Sequence, residues 1–62
     1  MIKEFMTNYG NRVLIDIDSI SSIYETIING RCVSVVIMQQ GESYNLDMSI
    51  SELKKRIEQE GE

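Results

Sequence analysis

The sequence predicts a single α+β domain, in which a small antiparallel sheet of four to five strands is followed by one C-terminal amphipathic helix. The first indication is the dipeptide Asn29-Gly30 between two apolar runs, because a two-residue hairpin turn needs positive φ at both positions. The second is a composition with ten isoleucines and four valines but no alanine or proline, which favours strands over helices. The third is the motif Ser49-x-x-Glu52 before an apolar run, a signature of a helix N-terminus.

Apolar runs and clusters of turn-forming residues divide the chain into six elements of one domain, 1–62. Strands are expected where β-branched residues lie between such clusters. The helix is expected after the cap at Ser49, and the last few residues are expected to be an unstructured tail. The predicted strands cover approximately residues 1–7, 12–17, 22–28, 31–38 and 43–47, and the predicted helix covers approximately 50–60.

The first two strands are expected to form a hairpin around the turn-forming residues at 8–11. Ile2 and Phe5 are the predicted buried residues of the first strand. Asp18 and Ser19 predict a tight bend or a single helical turn after the second strand, because their side chains can bond neighbouring backbone amides. Ile20 is expected to lie beneath this bend.

The Asn29-Gly30 turn also predicts the pairing of the third and fourth strands, because a two-residue loop sets the register of a hairpin. Ile28 should face Arg31, and the pairs should continue to Ser22 opposite Ile37. Both faces of this hairpin are then about equally apolar, whereas an antiparallel sheet with one solvated face alternates apolar and polar residues. One face carries Ile28, Tyr24, Val33, Val35 and Ile37, and the other carries Ile27, Ile23, Cys32, Val36 and Met38.

The C-terminal helix has the most complete set of signals. Ser49 is the predicted N-cap, and Met48 and Leu53 have the spacing of a hydrophobic staple. Ile50, Leu53 and Ile57 form an apolar stripe along the helix. Three large side chains cover only part of one sheet face, so the sequence contains more apolar strand surface than this helix can bury.

This surplus predicts a homo-oligomer. A chain of 62 residues buries only about 60% of the surface that its unfolded form exposes, and domains of this size usually need a disulfide, a metal or a partner subunit. Cys32 is the only cysteine and there is no histidine, which excludes a disulfide within the chain and a structural zinc site. The alternative is a sheet that coils into a small barrel and covers itself. The candidate interface residues are Ile23, Ile27, Val36 and Met38.

Charge and composition disfavour several classes of function. The net charge is −4 and there is no long basic run, whereas nucleic-acid binding depends on clustered Lys and Arg. No apolar stretch approaches the roughly 20 residues of a membrane span, and the N-terminal residues lack the apolar core of a signal peptide. No membrane association is expected, and the expected location is the cytoplasm.

No set of residues indicates catalysis or a cofactor, and the chain is expected not to be an enzyme. Asp16 and Asp18 could bind a divalent cation, but the sequence places no third acidic ligand beside them, so solvent-facing carboxylates are the favoured interpretation. Cys32 has no histidine to act as its base. The favoured interpretation of Cys32 is a buried, unreactive thiol.

Aromatic and guanidinium side chains raise a second hypothesis, the binding of a nucleotide-like small molecule. The four glycines mark turns or the tail, and none belongs to a glycine-rich phosphate loop. A site for such a ligand would have to lie in a pocket between subunits. The candidate ligand-binding residues are Arg12, Tyr24, Arg31 and Tyr44.

Two stretches, "DIDSISSIYE" and "VSVVIMQQGESYNLDMSISELKKRI", carry a resemblance to a known family. Their common pattern is an acidic, isoleucine-containing bend and strand, an apolar strand that ends at Gly41, a short strand, and a capped helix. In this order of elements the chain resembles the small FlbD/SwrD-type proteins associated with bacterial flagella. The resemblance implies the same strand order, a cytoplasmic setting and an accessory role in flagella.

Together these observations predict a non-catalytic small binding protein, a homo-oligomer that acts through protein–protein interaction. The model for such a role is the small accessory protein with which a phage or mobile element inhibits a host factor by covering its surface. An oligomer that sequesters a nucleotide-like ligand and a flagellar accessory protein are the alternatives.

Overall fold

The computed structural model describes residues 1–59, which form five strands, one 3₁₀ turn and one α-helix. The predicted α+β class and the C-terminal helix are confirmed. Position 60, where the helix was expected to end, and the expected tail lie outside the described residues. The elements are β1 (Ile2–Met6), β2 (Arg12–Asp16), a 3₁₀ turn (Ile17–Ser19), β3 (Ile20–Ile28), β4 (Arg31–Met38), β5 (Ser43–Leu46) and α1 (Ile50–Glu58).

The strands divide between two antiparallel sheets, which corrects the prediction of one sheet with four to five strands. β1 and β2 form a two-stranded hairpin, and β3, β4 and β5 form a three-stranded sheet with β4 in the centre. The two sheets meet through a bridge between Thr7 and Leu46 and a hydrogen bond of 2.9 Å from Asn8 N to Asn45 O. The end of β1 therefore continues the antiparallel pairing at the edge of β5, while Phe5 and Ile15 of the hairpin enter the core.

The register of the β3–β4 hairpin agrees with the sequence-based prediction at every pair from the turn to Ser22. Asn29 has a φ of 52° and Gly30 a φ of 77°, the left-handed conformation that a type I′ turn requires at both positions. A β-bulge between Ile20 and Ser22 interrupts the pairing at the other end of the hairpin. Local turn chemistry was therefore sufficient to predict this register.

The main core lies on one face of the three-stranded sheet and is covered by both ends of the chain. Phe5 and Ile15 from the β1–β2 hairpin and Leu53 from α1 pack with Val36 and Met38 of β4. All five side chains are buried, and Val36 is 0% exposed. Covering this face therefore needs no second copy, because the hairpin and the helix share it.

Val33 and Val35, on the opposite face of β4, are also buried. They belong to the central strand, where Val35 is flanked by Tyr24 on β3 and by Asn45 on β5. A single chain therefore buries much of the apolar strand surface that the sequence left uncovered. The large apolar strand side chains that stay exposed lie on β3 and on the β1–β2 hairpin.

A buried lysine connects β1 to the end of α1. Lys3 is only 5% exposed, and its Nζ donates hydrogen bonds to the main-chain carbonyls of Arg56 and Gln59, the latter at 2.8 Å. The last carbonyls of a helix have no partner within the helix, and a positive charge at this end also complements the helix dipole. Arg56 contacts the same strand, with its guanidinium 4.9 Å from the centroid of the Phe5 ring.

The prediction that Ile2 is buried is wrong, whereas the prediction for Phe5 is confirmed. Ile2 is 64% exposed and Phe5 is 3% exposed. Side chains alternate between the two faces of a strand, so the residue that shares the inner face with Phe5 is Lys3. The long lysine side chain can lie in this interior position because its ammonium group reaches the helix terminus.

The predicted N-cap of α1 is confirmed, and a side chain of β3 accepts a hydrogen bond from another N-terminal amide of the helix. The amide of Glu52 donates a hydrogen bond of 3.2 Å to Ser49 Oγ. The amide of Ile50 donates one of 2.9 Å to Glu25 Oε2. Since Glu25 lies in the middle of β3, this bond places the start of the helix beside that strand.

Replacing Lys3 should show how strongly the helix terminus is held. Lys3→Met keeps an unbranched apolar side chain but removes both hydrogen bonds, so we expect a loss of about 2 kcal/mol in the free energy of unfolding. Urea denaturation would measure it, with Lys55→Met on the exposed side of the helix as the matched control. Equal effects of the two substitutions would contradict the role assigned to Lys3.

Candidate functional site

The acidic residues at the bend have a structural role. Asp16 Oδ1 accepts a hydrogen bond from the amide of Asp18 and Asp16 Oδ2 accepts one from Ser19 Oγ, both at 3.2 Å. The bond from the Asp18 amide lowers the pKa of the Asp16 carboxyl, an effect that outweighs its partial desolvation. The predicted helical turn is thus present, with Asp16 as its N-cap. Within residues 1–59, no three His, Cys, Asp or Glu side chains are grouped so that they could hold a metal ion.

Cys32 is exposed, which corrects the prediction of a buried thiol. Its pairing with Ile27 was predicted correctly, and Ile27 is itself 66% exposed. The pair lies one position from the hairpin turn. The core on this face includes Val36 and Met38 but neither Ile27 nor Cys32, so the end of the hairpin lies outside it and both side chains are solvent-accessible.

The two candidate ligand-binding arginines lie on different parts of the molecule, and each is already close to a carboxylate. Arg12, on β2, has its Nε 3.6 Å from Glu4 Oε2. Arg31, next to the β3–β4 turn, has an Nη2 atom 3.4 Å from Asp47 Oδ2. These ion pairs are largely exposed, and pairs of this kind contribute little to stability. They nevertheless reduce the positive charge available to an anionic ligand.

The two candidate tyrosines are separated as well. Tyr44 is half-buried and lines a cleft of about 280 Å³ whose other residues include Asp16 and Glu42. Tyr24 is half-exposed on β3. Two carboxylates beside Tyr44 disfavour a phosphate group, and Arg31 lines a different cleft. A ligand pocket between subunits stays a prediction.

Of the four candidate interface residues, two are inaccessible in the single chain. Val36 and Met38 are buried in the core, at 0% and 8% exposed, which corrects their assignment to an interface, because they have almost no surface to offer a second copy. Ile23 is half-buried at the margin of the core, and Ile27 is largely exposed. The accessible candidates therefore both lie on β3, which is an edge strand of its sheet.

The outer side of the β1–β2 hairpin is an apolar surface that the sequence reasoning missed. Ile2, Met6 and Leu14 are exposed there, with Leu14 at 68%. Glu4 faces Leu14 across the two strands, and Arg12 faces Met6. We call these five residues the hairpin face. Strict alternation counted from Phe5 and Ile15 would have placed all of them on the outside.

A second apolar surface lies between α1 and β3. It is an open groove of about 300 Å³ lined by three isoleucines and two charged residues of opposite sign. We call it the edge groove, because it runs along the strand that ends the three-stranded sheet. The hydrogen bond from the Ile50 amide to Glu25 holds the helix N-terminus at this strand. The residues of the edge groove are Ile23, Ile50, Lys54, Ile57 and Glu58.

No family model, no curated protein and no solved structure matches the chain. The resemblance to FlbD/SwrD-type proteins therefore stays a prediction. In the described part of the chain, no helix has both the length and the apolar character needed to cross a membrane.

The lowered pKa of Asp16 predicts a contribution to the pH dependence of folding. The ionised carboxylate stabilises the turn at pH values above the ordinary aspartate pKa of about 3.9, and this contribution is lost as the pH falls through the lower pKa of the folded state. Asp16→Asn keeps a capping oxygen but does not titrate. Its unfolding free energy, measured by urea denaturation at several acidic pH values, should fall less steeply than that of the wild type. Parallel curves would contradict this role for Asp16.

Proposed function

We propose that this chain is a non-catalytic binding protein that acts as a homo-oligomer through protein–protein contacts. The observation that carries the proposal is the presence of large apolar side chains outside the core on two separate surfaces, the hairpin face and the edge of β3. Large exposed apolar side chains that share one surface are typical of interaction sites on soluble proteins. Both surfaces lie on strands whose backbone is held by regular pairing, so they are preorganised for binding.

The ionisable side chains that could take part in catalysis or ligand binding also support a non-catalytic role, because several of them stabilise the fold. Asp16 caps the 3₁₀ turn, Lys3 binds the end of α1, and Glu25 binds its beginning. A nucleotide-sequestering function has less support, since Arg12 and Arg31 each lie near a carboxylate. The geometry therefore favours recognition of a protein surface.

The two surfaces suit two different partners. The edge of β3 and its groove suit a second copy of the chain, because strand pairing adds main-chain hydrogen bonds to apolar burial. The hairpin face belongs to the other sheet and stays accessible when β3 is covered. We infer that this face binds a different protein, in the manner of small accessory proteins that inhibit a factor by covering its surface.

The self-association can be tested directly on the purified chain. Multi-angle light scattering across the micromolar concentration range should show a mass larger than the 7.1 kDa of one chain, with a dependence on concentration that yields a dissociation constant. A stable monomer over the whole range would overturn the proposed oligomer.

The second surface can be tested with a matched pair of variants. Leu14→Lys places a charge in the centre of the hairpin face, whereas Gln39→Lys makes a similar change at an exposed turn residue outside it. Immobilised wild type and Gln39→Lys should retain the same protein from a cell lysate, and Leu14→Lys should not. The retained protein, once purified, should bind the wild type saturably. Equal retention by all three chains, or no saturable binding, would count against this use of the hairpin face.

A further inference from the structure

The outer edge of β3 has an unsatisfied row of main-chain hydrogen-bonding groups. In a two-residue hairpin the residues next to the turn form a hydrogen-bonded pair, and bonded and non-bonded pairs then alternate along the strands. The amides and carbonyls of Ile23, Glu25 and Ile27 therefore point away from β4. Within residues 1–59, no main-chain hydrogen bond from outside the sheet reaches these three residues. Such an edge is a template for pairing with another strand.

The sequence of β3 is compatible with pairing to a second β3 about a two-fold axis. If the axis passes beside Tyr24, Ile23 of each copy exchanges two main-chain hydrogen bonds with Glu25 of the other. The two Tyr24 side chains then lie opposite each other at a non-bonded pair, the position of closest side-chain approach. An axis beside Glu25 would instead place two carboxylates opposite each other, which is destabilising. The bulge after Ile20 limits the pairing at the other end.

The edge groove lies along the same edge and has self-complementary charges. A two-fold axis normal to the sheet places the α1 helices of the two copies side by side on the same face and makes them antiparallel. Lys54 and Glu58, which are one helical turn apart and both line the groove, then run in opposite order on the two helices. The groove of each copy therefore offers the other one ammonium group and one carboxylate beside its isoleucines.

We propose that two copies of this chain associate through β3, forming one continuous six-stranded sheet with the paired α1 helices over its central groove. This inference rests on the proposed self-association and specifies its geometry. The occupant of the groove is a second copy because one two-fold operation pairs the two open strand edges and brings two grooves of mixed charge side by side. The hairpin face takes no part in the contact.

A charge-exchange experiment tests the helix pairing. Lys54→Glu and Glu58→Lys each place like charges on the facing helices of a homodimer, whereas a mixture of the two variants places opposite charges on them. We expect each variant alone to dimerise about tenfold more weakly than the wild type, and the equimolar mixture to recover most of the loss as a heterodimer. Sedimentation analysis of the separate and mixed chains would measure this. Mixed chains that associate no better than the separate ones would overturn the helix pairing.

A second pair of variants tests the strand pairing. Tyr24→Lys places two ammonium groups opposite each other at the centre of the contact, and Leu14→Lys makes the same kind of change on the hairpin face, where Leu14 is also largely exposed. Tyr24→Lys should be monomeric where the wild type is dimeric, while Leu14→Lys should keep the wild-type dissociation constant. Circular dichroism and thermal unfolding of both variants would verify that they are folded.

Amide hydrogen exchange separates the failure of this geometry from the failure of the proposed function. In the dimer the amides of Ile23 and Glu25 should exchange slowly, and dilution to the monomer should make them fast. A wild type that oligomerises but retains fast exchange at both amides would overturn the β3 contact and leave the proposed function in place. A wild type that is monomeric at every concentration would overturn both.

Discussion

The structure depends on the meeting of both chain ends over one face of the three-stranded sheet. The β1–β2 hairpin and α1 are far apart in sequence, yet Phe5 and Leu53 bury the same stretch of β4. Lys3 joins them directly, because its ammonium group occupies the end of the helix where main-chain carbonyls lack partners. With few residues available for a core, this shared cover makes a domain of this size self-contained on that face.

The same arrangement leaves one edge of the three-stranded sheet, at β3, without a neighbouring strand in the described residues. β5 meets the end of β1 through the Thr7–Leu46 bridge, whereas β3 has β4 on one side and no strand on the other within the described residues. The helix lies beside β3 and its first amide binds Glu25 of that strand, but within the described residues no main-chain hydrogen bond from outside the sheet reaches the outer edge of β3. The surface offered for association is therefore a combination of open backbone and adjoining apolar side chains.

The sequence predicted exposed apolar strand residues, and the structure places them at positions other than Val36 and Met38. Alternation showed that both faces of the β3–β4 hairpin are apolar, but it did not show which element covers each face. Val36 and Met38 were assigned to an interface because only the helix was considered as a cover, and the hairpin at the start of the chain covers them as well. Cys32 was assigned to the interior because it shares an apolar face with Ile27. A residue near the tip of a long hairpin can nevertheless extend beyond the core that covers the rest of that face, and Cys32 is exposed.

What the sequence determined by itself is local. The Asn29-Gly30 turn specified the pairs of the hairpin from Ile28 to Ser22, and Ser49 specified the start of α1, because positive φ and N-capping depend on residues within a few positions of each other. The division into two sheets, the burial of Lys3 and the exposure of Leu14 and Ile27 were decided by the tertiary structure. Each of these depends on which distant segment packs on a given face, and that choice is set by the summed burial of the whole chain.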